Sequence, residues 1–461
     1  MFKVFELLRS EGPAVGLHLN VAKNEIWWPS RPESDPFPAK VERVSNCGVK
    51  LLGAPIGTKE FTTEFVSKKL KVLQQVCSKL EAVDDAQIEF GLFRGCLAYN
   101  KINHLLRTST PAVLSEAIKQ FDGHFRDILA QILRVPCLAD EVWEHASLPC
   151  RFAGLGVTQC KTIAGAAFVG SCALTHELVC ALLDRDPAES VPSGVAQLLE
   201  EHAEDTGLPH EFQDLCEAGH VQRLLSDEQH GALLKKIKVR SSARMKNLLL
   251  ACTMPHASDW LHAPPIPELG LSLKTDVFRT AVKFRLGMPL MEAGLLCPAT
   301  SNKSGSTCGE ELDVFGDHAL CCHHGTSRVF RHNQLRDILG HSAKAAGLST
   351  VVIEKKNQIS GSKKKPGDIT IQQYRRGFAA SAFDVTVAHP LQKKHIDVAT
   401  DEAGVAAQAA HDRKLQKSLE DCKKEGLHFV PLAWESAAPP TPCTRSFASG
   451  RIWNLTAAAT R

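Results

Sequence analysis

The pattern of apolar and polar positions changes character along the chain. Within residues 1–59, apolar and polar residues alternate over 16–20, the run 26–28 ends at Pro29, and the run 49–57 is closed by Gly and Pro, which predicts short strands and turns at the edge of a sheet. Over 62–250, apolar residues recur at helical spacing, which predicts a long helical region. Consecutive prolines within 260–270 forbid helix and mark a connector between this region and the rest of the chain.

Beyond the connector, the pattern predicts one helix over 275–286 and then an alternation of helices and strands. Helices are expected over 333–346 and 405–424, and strands over 350–353, 368–372, 378–387 and 428–433. The proline-rich residues from 437 onward are expected to form a loose tail.

Composition narrows the class of protein. The 461 residues are 44% hydrophobic, with 54 Lys and Arg against 51 Asp and Glu, which excludes a disordered chain, a collagen-like fibre and a strongly basic packaging protein. The length predicts two to four domains. Charged residues interrupt every apolar run before the roughly 20 residues that span a bilayer, so we expect no membrane association. The N-terminal residues lack a signal-peptide pattern, which predicts a nuclear or cytoplasmic protein that is not secreted.

Several of the 16 cysteines sit singly in apolar helical stretches, as buried free thiols do, but one set is clustered with a histidine. Ten residues separate Cys297 from Cys308, nine separate Cys308 from His318, and Cys321 and Cys322 follow. Three thiolates and an imidazole suit structural, tetrahedral zinc, although the first spacing is longer than usual. We expect Cys297, Cys308, His318 and Cys322 to be the ligands, with Cys321 as the alternative fourth ligand. Unrelated buried cysteines are the competing interpretation.

Three acidic residues border or lie within apolar strands: Glu354, Asp368 and Asp384. Buried carboxylates without a partner are costly, and two of them supply the oxygen ligands that Mg²⁺ prefers. Residues 350–400 contain nine Lys or Arg and four Asp or Glu, a local charge of +5 in a chain whose total is +3. A basic rim around an acidic metal site is typical of a nuclease, because the rim holds the phosphate backbone. A solvated turn beside an ordinary strand is the alternative.

Four motifs in this region, taken in their order, resemble the restriction-enzyme-like endonuclease of non-LTR retrotransposons, which has the PD-(D/E)xK nuclease fold. They are GDHALCC at 316–322, RHNQLRD at 331–337, KPGD at 365–368 and FDVTV at 383–387. This sequence departs from the family pattern at two positions. Gly367 separates the proline from the aspartate, and Thr386 stands two residues after the second aspartate, where the pattern has lysine.

The resemblance implies Asp368 and Asp384 as the pair that binds Mg²⁺, and it matches Glu354 to an acidic residue often found before the first aspartate. It also implies a lysine that orients water or stabilises the scissile phosphate. Lys414 is the first choice, with Lys417 and Lys393 as alternatives. Two groups of residues are expected to contact DNA phosphate or support the site: Arg331 with His332, and the turn of Lys363, Lys364 and Lys365.

Upstream, GLHLNVAK at 16–23 resembles a motif of a reverse transcriptase palm, in which the position of Lys23 lies near the incoming nucleotide. LLGAPI at 51–56 resembles the Leu-Gly hairpin that leads from the palm to the thumb. The pairs LP at 148–149 and GLG at 154–156 look like a further recurrent element of these proteins. The Asp-Asp pair that a polymerase needs for its metal ions would lie before Met1, since the pair Asp84-Asp85 falls in a polar helical stretch. We therefore expect no polymerase activity from this chain.

Together these patterns predict a mixed multidomain fold: a truncated α/β palm remnant, all-α thumb and linker regions, a zinc element and an α/β nuclease domain. The expected divisions are a palm remnant over 1–59, thumb-like helices over 60–135, a helical linker over 136–270, a helix and zinc element over 271–330, a restriction-enzyme-like endonuclease over 331–436 and a flexible tail over 437–461.

The main functional hypothesis is a piece of a retrotransposon protein that nicks target DNA with Mg²⁺ to prime reverse transcription. Its expected partners are the DNA target and the element RNA, and a polymerase supplied in trans is a further candidate partner. The alternative is an inactive remnant that binds nucleic acid without cutting it. A helical scaffold protein is a third interpretation, which requires the order of the motifs to be accidental.

Overall fold

The structure is a computed structural model that describes residues 2–28, 34–44, 47–301, 304–348, 350–361, 365–392, 396 and 402–436. The helices are α1 Phe2–Glu11, α2 Lys59–Cys77, α3 Ala86–Leu92, α4 Asn103–Thr108, α5 Pro111–Leu133, α6 Asp140–Ser147, α7 Cys160–Leu183, α8 Val195–Thr206, α9 Phe212–Glu217, α10 Val221–Arg240, α11 Ala243–Thr253, α12 Asp259–His262, α13 Thr275–Arg285, α14 Asp317–Cys321, α15 Ser327–Ala345 and α16 Val405–Lys424. The strands are β1 Glu25–Ile26, β2 Glu42–Arg43, β3 Gly48–Leu51, β4 Ala54–Gly57, β5 Val351–Ile353, β6 Ile369–Gln372, β7 Ala380–Ala388 and β8 Leu427–Glu435.

The chain forms two compact units. The first unit comprises residues 1–137 and 157–232, and the second unit comprises residues 138–156 and 233–461. The stretch 136–270, expected as a single helical linker, therefore contributes to both units. The expected tail over 437–461 lies outside the described residues.

The first unit is mainly helical, with an antiparallel hairpin of β3 and β4 directly before α2. Asp122 on α5 accepts hydrogen bonds from the first backbone N–H groups of α7, at 2.6 Å from Cys160 and 3.1 Å from Lys161. A carboxylate at a helix N-terminus satisfies donors that the helix itself leaves unpaired, so this contact ties α5 to α7.

The expectation of a strand over 16–20 is wrong. Gly16 adopts a left-handed conformation, with φ of 81°, that ends a short 3₁₀ turn, and the Asn20 side chain accepts a hydrogen bond from the backbone N–H of Ala22. Glycine and asparagine favour these backbone conformations, and here they outweigh the apolar alternation. Helix α1, which the strand interpretation omitted, precedes this turn.

By length and composition, one helix of the described residues, α7, is apolar enough to cross a membrane. Its 24 residues have a mean hydropathy of 1.7 in the most apolar window. Ten of these residues are buried within the protein. Core helices of soluble proteins satisfy the same criterion of length and composition, so the finding does not by itself indicate a membrane span.

The second unit contains a four-stranded sheet in the order β5-β6-β7-β8. The first two pairs are antiparallel, and β7 and β8 are parallel with α16 as the connection between them. Helix α15 packs through Leu335, Leu339 and Ala343 on one face of the sheet. Helix α16 packs through Leu415 and Leu419 against Ala380 and Ala382, whose side chains lie on the other face of the sheet. The sheet is therefore covered on both sides.

The helices and strands of this region lie close to the expected ranges, with one substantial difference. Helix α15 begins at Ser327, six residues before the expected start at 333. Val329 and Phe330 are both 60% exposed, so the first turn has no apolar stripe facing the core from which a helix could be predicted.

Candidate functional site

Strand register brings the three predicted carboxylates together. Ile369 on β6 faces Phe383 on β7, so Asp368, one residue earlier, lies opposite Asp384, one residue later. The backbone N–H of Asp368 donates to the carbonyl of Phe383 at 2.8 Å, and the N–H of Glu354 donates to the carbonyl of Asp368 at 2.7 Å. Glu354, Asp368 and Asp384 thus follow one another across three neighbouring strands.

The glycine that interrupts the Pro-Asp motif has a steric explanation. A Cβ atom on Gly367 would lie 2.9 Å from both the backbone nitrogen and the carbonyl oxygen of Phe383. Real Cβ atoms do not approach backbone atoms this closely, so the chain needs glycine to pass β7 on its way to Asp368. The glycine therefore allows the segment before Asp368 to pass close to β7.

Asp384 is 8% exposed and accepts a hydrogen bond from the ammonium of Lys414 at 2.8 Å. Lys414 lies on α16, which covers this part of the sheet. Burial raises the pKa of Asp384 to about 6, and the neighbouring Asp368 carboxyl adds to the effect, while Lys414 opposes it. Two carboxyl groups this close do not ionise together easily without a cation.

Asp368 has two further partners. One carboxylate oxygen accepts the backbone N–H of Val385 at 2.7 Å, and the other lies 3.4 Å from Nε2 of His332 on α15. Burial acts to raise the pKa of Asp368, but the hydrogen bonds from His332 and Val385 outweigh it and lower this pKa below its ordinary value. The same hydrogen bond raises the pKa of His332.

Glu354 is held by two cationic side chains. Arg336, one helical turn beyond His332 on α15, donates to one carboxylate oxygen at 2.8 Å, and Lys365 donates to the other. The hydrogen bond from Lys365 is the main cause that lowers the pKa of Glu354. The carboxylate is therefore ionised and fixed in orientation.

The donor set is suited to a divalent cation. Ligand atoms of His332, Glu354 and Asp368 all lie within 4.8 Å of one another. Asp384 is outside this set of three and interacts with its member Asp368. Clustered carboxylate oxygens are the ligands that Mg²⁺ and Mn²⁺ prefer. The negative charges of Asp368 and Asp384 repel each other, and a bound cation would offset this repulsion. The residues present therefore fit such an ion.

A cleft of about 440 Å³ adjoins this cluster and is lined in part by His332 and Thr386. Three arginines also line it: Arg328 and Arg331 from α15 and Arg413 from α16. No carboxylate lines it in the described part of the chain. Arg331 donates through its terminal nitrogen to the carbonyl of Leu320, and its Nε is buried without a partner among the described residues. The cleft is therefore a positively charged surface beside the carboxylates.

A separate cluster gathers Cys297, Cys308, His318 and Cys322, whose ligand atoms lie within 4.8 Å of one another. Zinc–sulfur bonds of about 2.3 Å and zinc–nitrogen bonds of about 2.0–2.1 Å place tetrahedral sulfurs about 3.8 Å apart, and a sulfur and a nitrogen about 3.6 Å apart. The Sγ atoms of Cys297 and Cys322 are 3.7 Å apart, and Sγ of Cys308 is 3.6 Å from Nε2 of His318. These separations fit a tetrahedral zinc ion.

The surroundings of the cluster also suit a metal. Burial would raise the pKa of Cys322, but backbone N–H groups of His324 and Gly325 outweigh it and lower this pKa to about 6, which favours a thiolate. The other ring nitrogen of His318 lies 3.2 Å from the Glu310 carboxylate, a typical outer contact of a metal-binding imidazole. Cys321, the alternative ligand, is outside the set of four.

Asp317 connects this Cys/His element to the rest of the second unit. Asp317 pairs with the guanidinium of Arg244 on α11, at 2.9 Å for one of the two hydrogen bonds, and lies 3.3 Å from Nε2 of His389 at the end of β7. The aspartate in the GDHALCC motif therefore helps to position the element beside the sheet.

The remaining predicted residues are distributed as follows. Lys417 is exposed on α16, one turn beyond Lys414, and Lys23 is exposed in a 3₁₀ turn. Asp85 caps α3 by accepting the N–H groups of Gln87 and Ile88, so its carboxylate serves the helix terminus. Lys363, Lys364 and Lys393 lie outside the described residues.

Sequence reasoning missed Arg336 as a site residue. The spacing of four residues from His332 places both on one helical face, but the predicted helix began at 333 and excluded His332, so the signal was visible only with the earlier start at Ser327. Comparison with known proteins adds no further assignment: no protein-family model matches this sequence, and no curated protein matches it.

Proposed function

We propose that this protein is a metal-dependent DNA endonuclease of the restriction-enzyme-like kind, similar to the nuclease of non-LTR retrotransposons. The observation that carries the proposal is the cross-strand meeting of Asp368 and Asp384, with the Lys414 ammonium 2.8 Å from Asp384. Two adjacent carboxylates and one lysine on a small mixed sheet are the groups that this chemistry requires, although here the lysine comes from a helix.

Each residue of the cluster has a role in this proposal. Asp368 and Asp384 hold a divalent cation, which would polarise the scissile phosphate and lower the pKa of the attacking water. Lys414 offsets the negative charge that develops on the phosphate. His332 orients the Asp368 carboxylate through their 3.4 Å contact. Arg336 orients Glu354, which contributes a further oxygen on the same side of the sheet edge.

The adjoining cleft supplies the binding surface for DNA. Arg328, Arg331 and Arg413 line it without a neighbouring carboxylate in the described part of the chain, so the phosphate backbone meets uncompensated positive charge. His332 lines the same cleft and contacts Asp368. A strand bound in the cleft therefore approaches the carboxylate pair directly.

The wider proposal is a retrotransposon-derived protein that nicks its DNA target so that element RNA can be copied from the cut end, with a zinc element beside the nuclease and a polymerase supplied in trans. Two observations support the zinc and reverse-transcriptase parts. The Cys297 to Cys322 set has tetrahedral spacings. The LLGAPI motif forms the hairpin of β3 and β4 that leads into α2, as expected for a hairpin between palm and thumb.

The test is a nicking assay on supercoiled plasmid with the full chain and Mg²⁺ or Mn²⁺. The Asp368→Asn and Asp384→Asn variants should each nick at least about 100-fold more slowly, since each loses one charged metal ligand. The control is Asp412→Asn, the same change at an exposed aspartate on α16. Equal nicking by the parent and by Asp368→Asn would show that the activity, if any, arises elsewhere.

One observation favours a second candidate, a protein that binds nucleic acid without cutting it. Lys414 pairs with Asp384, His332 contacts Asp368, and Arg336 and Lys365 enclose Glu354, so cationic side chains already accompany every carboxylate of the cluster. Such pairing stabilises the cluster without a metal. Salt-sensitive DNA binding that depends on Arg328 and Arg413, with no nicking in any divalent metal, would support this candidate over the nuclease.

A further inference from the structure

The first unit contains a third cluster of metal-binding side chains, which no motif in the sequence indicates. Ligand atoms of His202, His210 and Glu228 lie within 4.8 Å of one another. Nε2 of His202 and Nε2 of His210 are each 2.8 Å from the same oxygen of Glu228. Two imidazoles therefore converge on one carboxylate oxygen, although they come from different segments of the chain.

Local structure produces this convergence. His202 lies in the last turns of α8, which ends at Gly207 in a left-handed conformation with φ of 75°. The chain then reverses through Pro209, and the ring of His210 returns to 5.6 Å from the ring of His202. Glu228, on the second turn of α10, closes the set from the other side. Gly207 is thus the residue that permits the reversal.

The environment of the cluster differs from that of the nuclease carboxylates. Glu354 and Asp384 are paired with lysine or arginine, whereas in the described chain the partners of Glu228 are the two imidazoles. Nε2 of a neutral imidazole can bind either a proton or a metal ion. Each histidine could therefore bind the same metal ion as the Glu228 carboxylate. Among the described residues no lysine or arginine pairs with Glu228, and the cation of the adjoining cavity, Arg223, lies toward Asp227 at 3.9 Å.

We infer that His202, His210 and Glu228 form a binding site for a transition-metal ion of the zinc class, independent of the Cys/His cluster. Two imidazoles and one carboxylate are a donor set that binds Zn²⁺ and leaves a fourth position open. Bond lengths of about 2.0–2.2 Å separate tetrahedral N and O ligands by about 3.4 Å, so the 2.8 Å contacts need to lengthen by only about 0.6 Å.

The site is accessible to an ion from solvent. The His202 side chain is 4% exposed, while those of His210 and Glu228 are 21% and 17% exposed. A surface cavity of about 410 Å³ borders Glu228 and is lined also by His220 and Asp227. An ion can therefore reach Glu228 from this cavity. A bound ion would join α8, the turn after it and α10.

The test uses the full chain, dialysed against a zinc buffer and analysed for bound zinc by mass spectrometry. His210→Gln and Glu228→Gln should each hold one zinc equivalent fewer than the parent. Loss of a direct ligand should weaken affinity for that ion at least about 100-fold, which exceeds the usual effect of an outer contact. Gln at 210 keeps a hydrogen-bond donor toward Glu228, so the variant should fold. The matched control is His220→Gln, on the same cavity but outside the set, and it should hold as much zinc as the parent.

Cobalt distinguishes this ion from one bound to cysteine. After exchange with Co²⁺, the spectrum of the parent minus that of His210→Gln should contain weak d–d bands without sulfur-to-cobalt charge transfer, because the proposed ligands are nitrogen and oxygen. Equal zinc content in the parent and in His210→Gln would overturn the inference. Charge-transfer bands in the difference spectrum would also overturn it. Neither result depends on whether the protein nicks DNA.

Discussion

Lys414 and Lys417 lie one turn apart on α16, and the sequence interpretation made Lys414 the first choice and Lys417 an alternative. Among the lysines that the structure describes, only Lys414 donates a hydrogen bond to Asp384, at 2.8 Å. Lys417 is exposed. We predict that Lys414→Met slows single-turnover nicking by about 100-fold, because a preorganised cation near the phosphate is worth about 3 kcal/mol of transition-state energy. Lys417→Met should nick at the parental rate.

The Lys414 result must be separated from misfolding, because the substitution leaves the buried Asp384 without its cation. Thermal unfolding of both lysine variants provides this check. The prediction fails if Lys414→Met folds and nicks as fast as Lys417→Met, since the lysine of the site would then be another residue. Retained DNA binding in Lys414→Met would place its effect on the chemical step.

At this scale the sequence was most informative where a functional residue belongs to a strand. Asp368 and Asp384 interrupt apolar runs, and a buried charge in such a run requires a partner. The contact between His332 and Asp368 could not be derived, because it depends on how α15 crosses the end of the sheet. The set of His202, His210 and Glu228 spans 27 residues and has no short spacing that would indicate a metal site.

At the scale of elements, the Cys/His segment offers two adjacent cysteines for a single ligand position. Cys322 lies with Cys297, Cys308 and His318, and Cys321 lies outside the set. We predict that Cys322→Ser lowers bound zinc by one equivalent and lowers the melting temperature of the second unit, because removing a ligand opens a structural site. Cys321→Ser is the matched control and should keep the parental zinc content. The assignment is wrong if Cys321→Ser is instead the variant that loses zinc.

Elements with a strong period were predicted to within a few residues, as for α16 and β8, whereas elements without one were not. Helix α15 starts early with two exposed apolar residues, Val329 and Phe330, so its first turn carries no pattern facing the core. The segment over 16–20 shows the converse error. Its alternation looked like a strand, but Gly16 and Asn20 direct the backbone into turns.

At the scale of the whole molecule, the division into two units was not predictable from local patterns. Residues 138–156 belong with residues after 232, far along the chain. Buried Arg285 on α13 makes part of this connection, since it donates to the carbonyls of Cys150 and Gly154 at 3.3 and 3.2 Å. A contact across more than 130 residues leaves no signal in a hydrophobic period. The net charge of +3 is similarly an average that conceals the basic cleft beside the carboxylates.

The long-range connection predicts how the stability of the second unit depends on pH. His145 on α6 is 1% exposed, and its Nε2 lies 3.2 Å from the carbonyl of Ala153. Burial lowers the pKa of His145 to about 4 from an ordinary 6.5, and the nearby cation of Arg285 adds to this effect. A proton on His145 would place a second positive charge in the same buried region, so the folded state keeps the imidazole neutral.

Above pH 6.5 the imidazole of His145 is neutral in both the folded and the unfolded state. Between pH 6.5 and pH 4 the unfolded chain is protonated at this residue, whereas the folded chain is not. The free energy of unfolding should therefore fall by about 2 kcal/mol between pH 7 and pH 5, and by about 3 kcal/mol in all once pH 4 is reached. Urea unfolding of His145→Gln, which keeps a donor toward Ala153, should lose most of this dependence. The exposed His341→Gln control should retain it. Parallel pH profiles for the parent and His145→Gln would mean that acid weakens the second unit through another group.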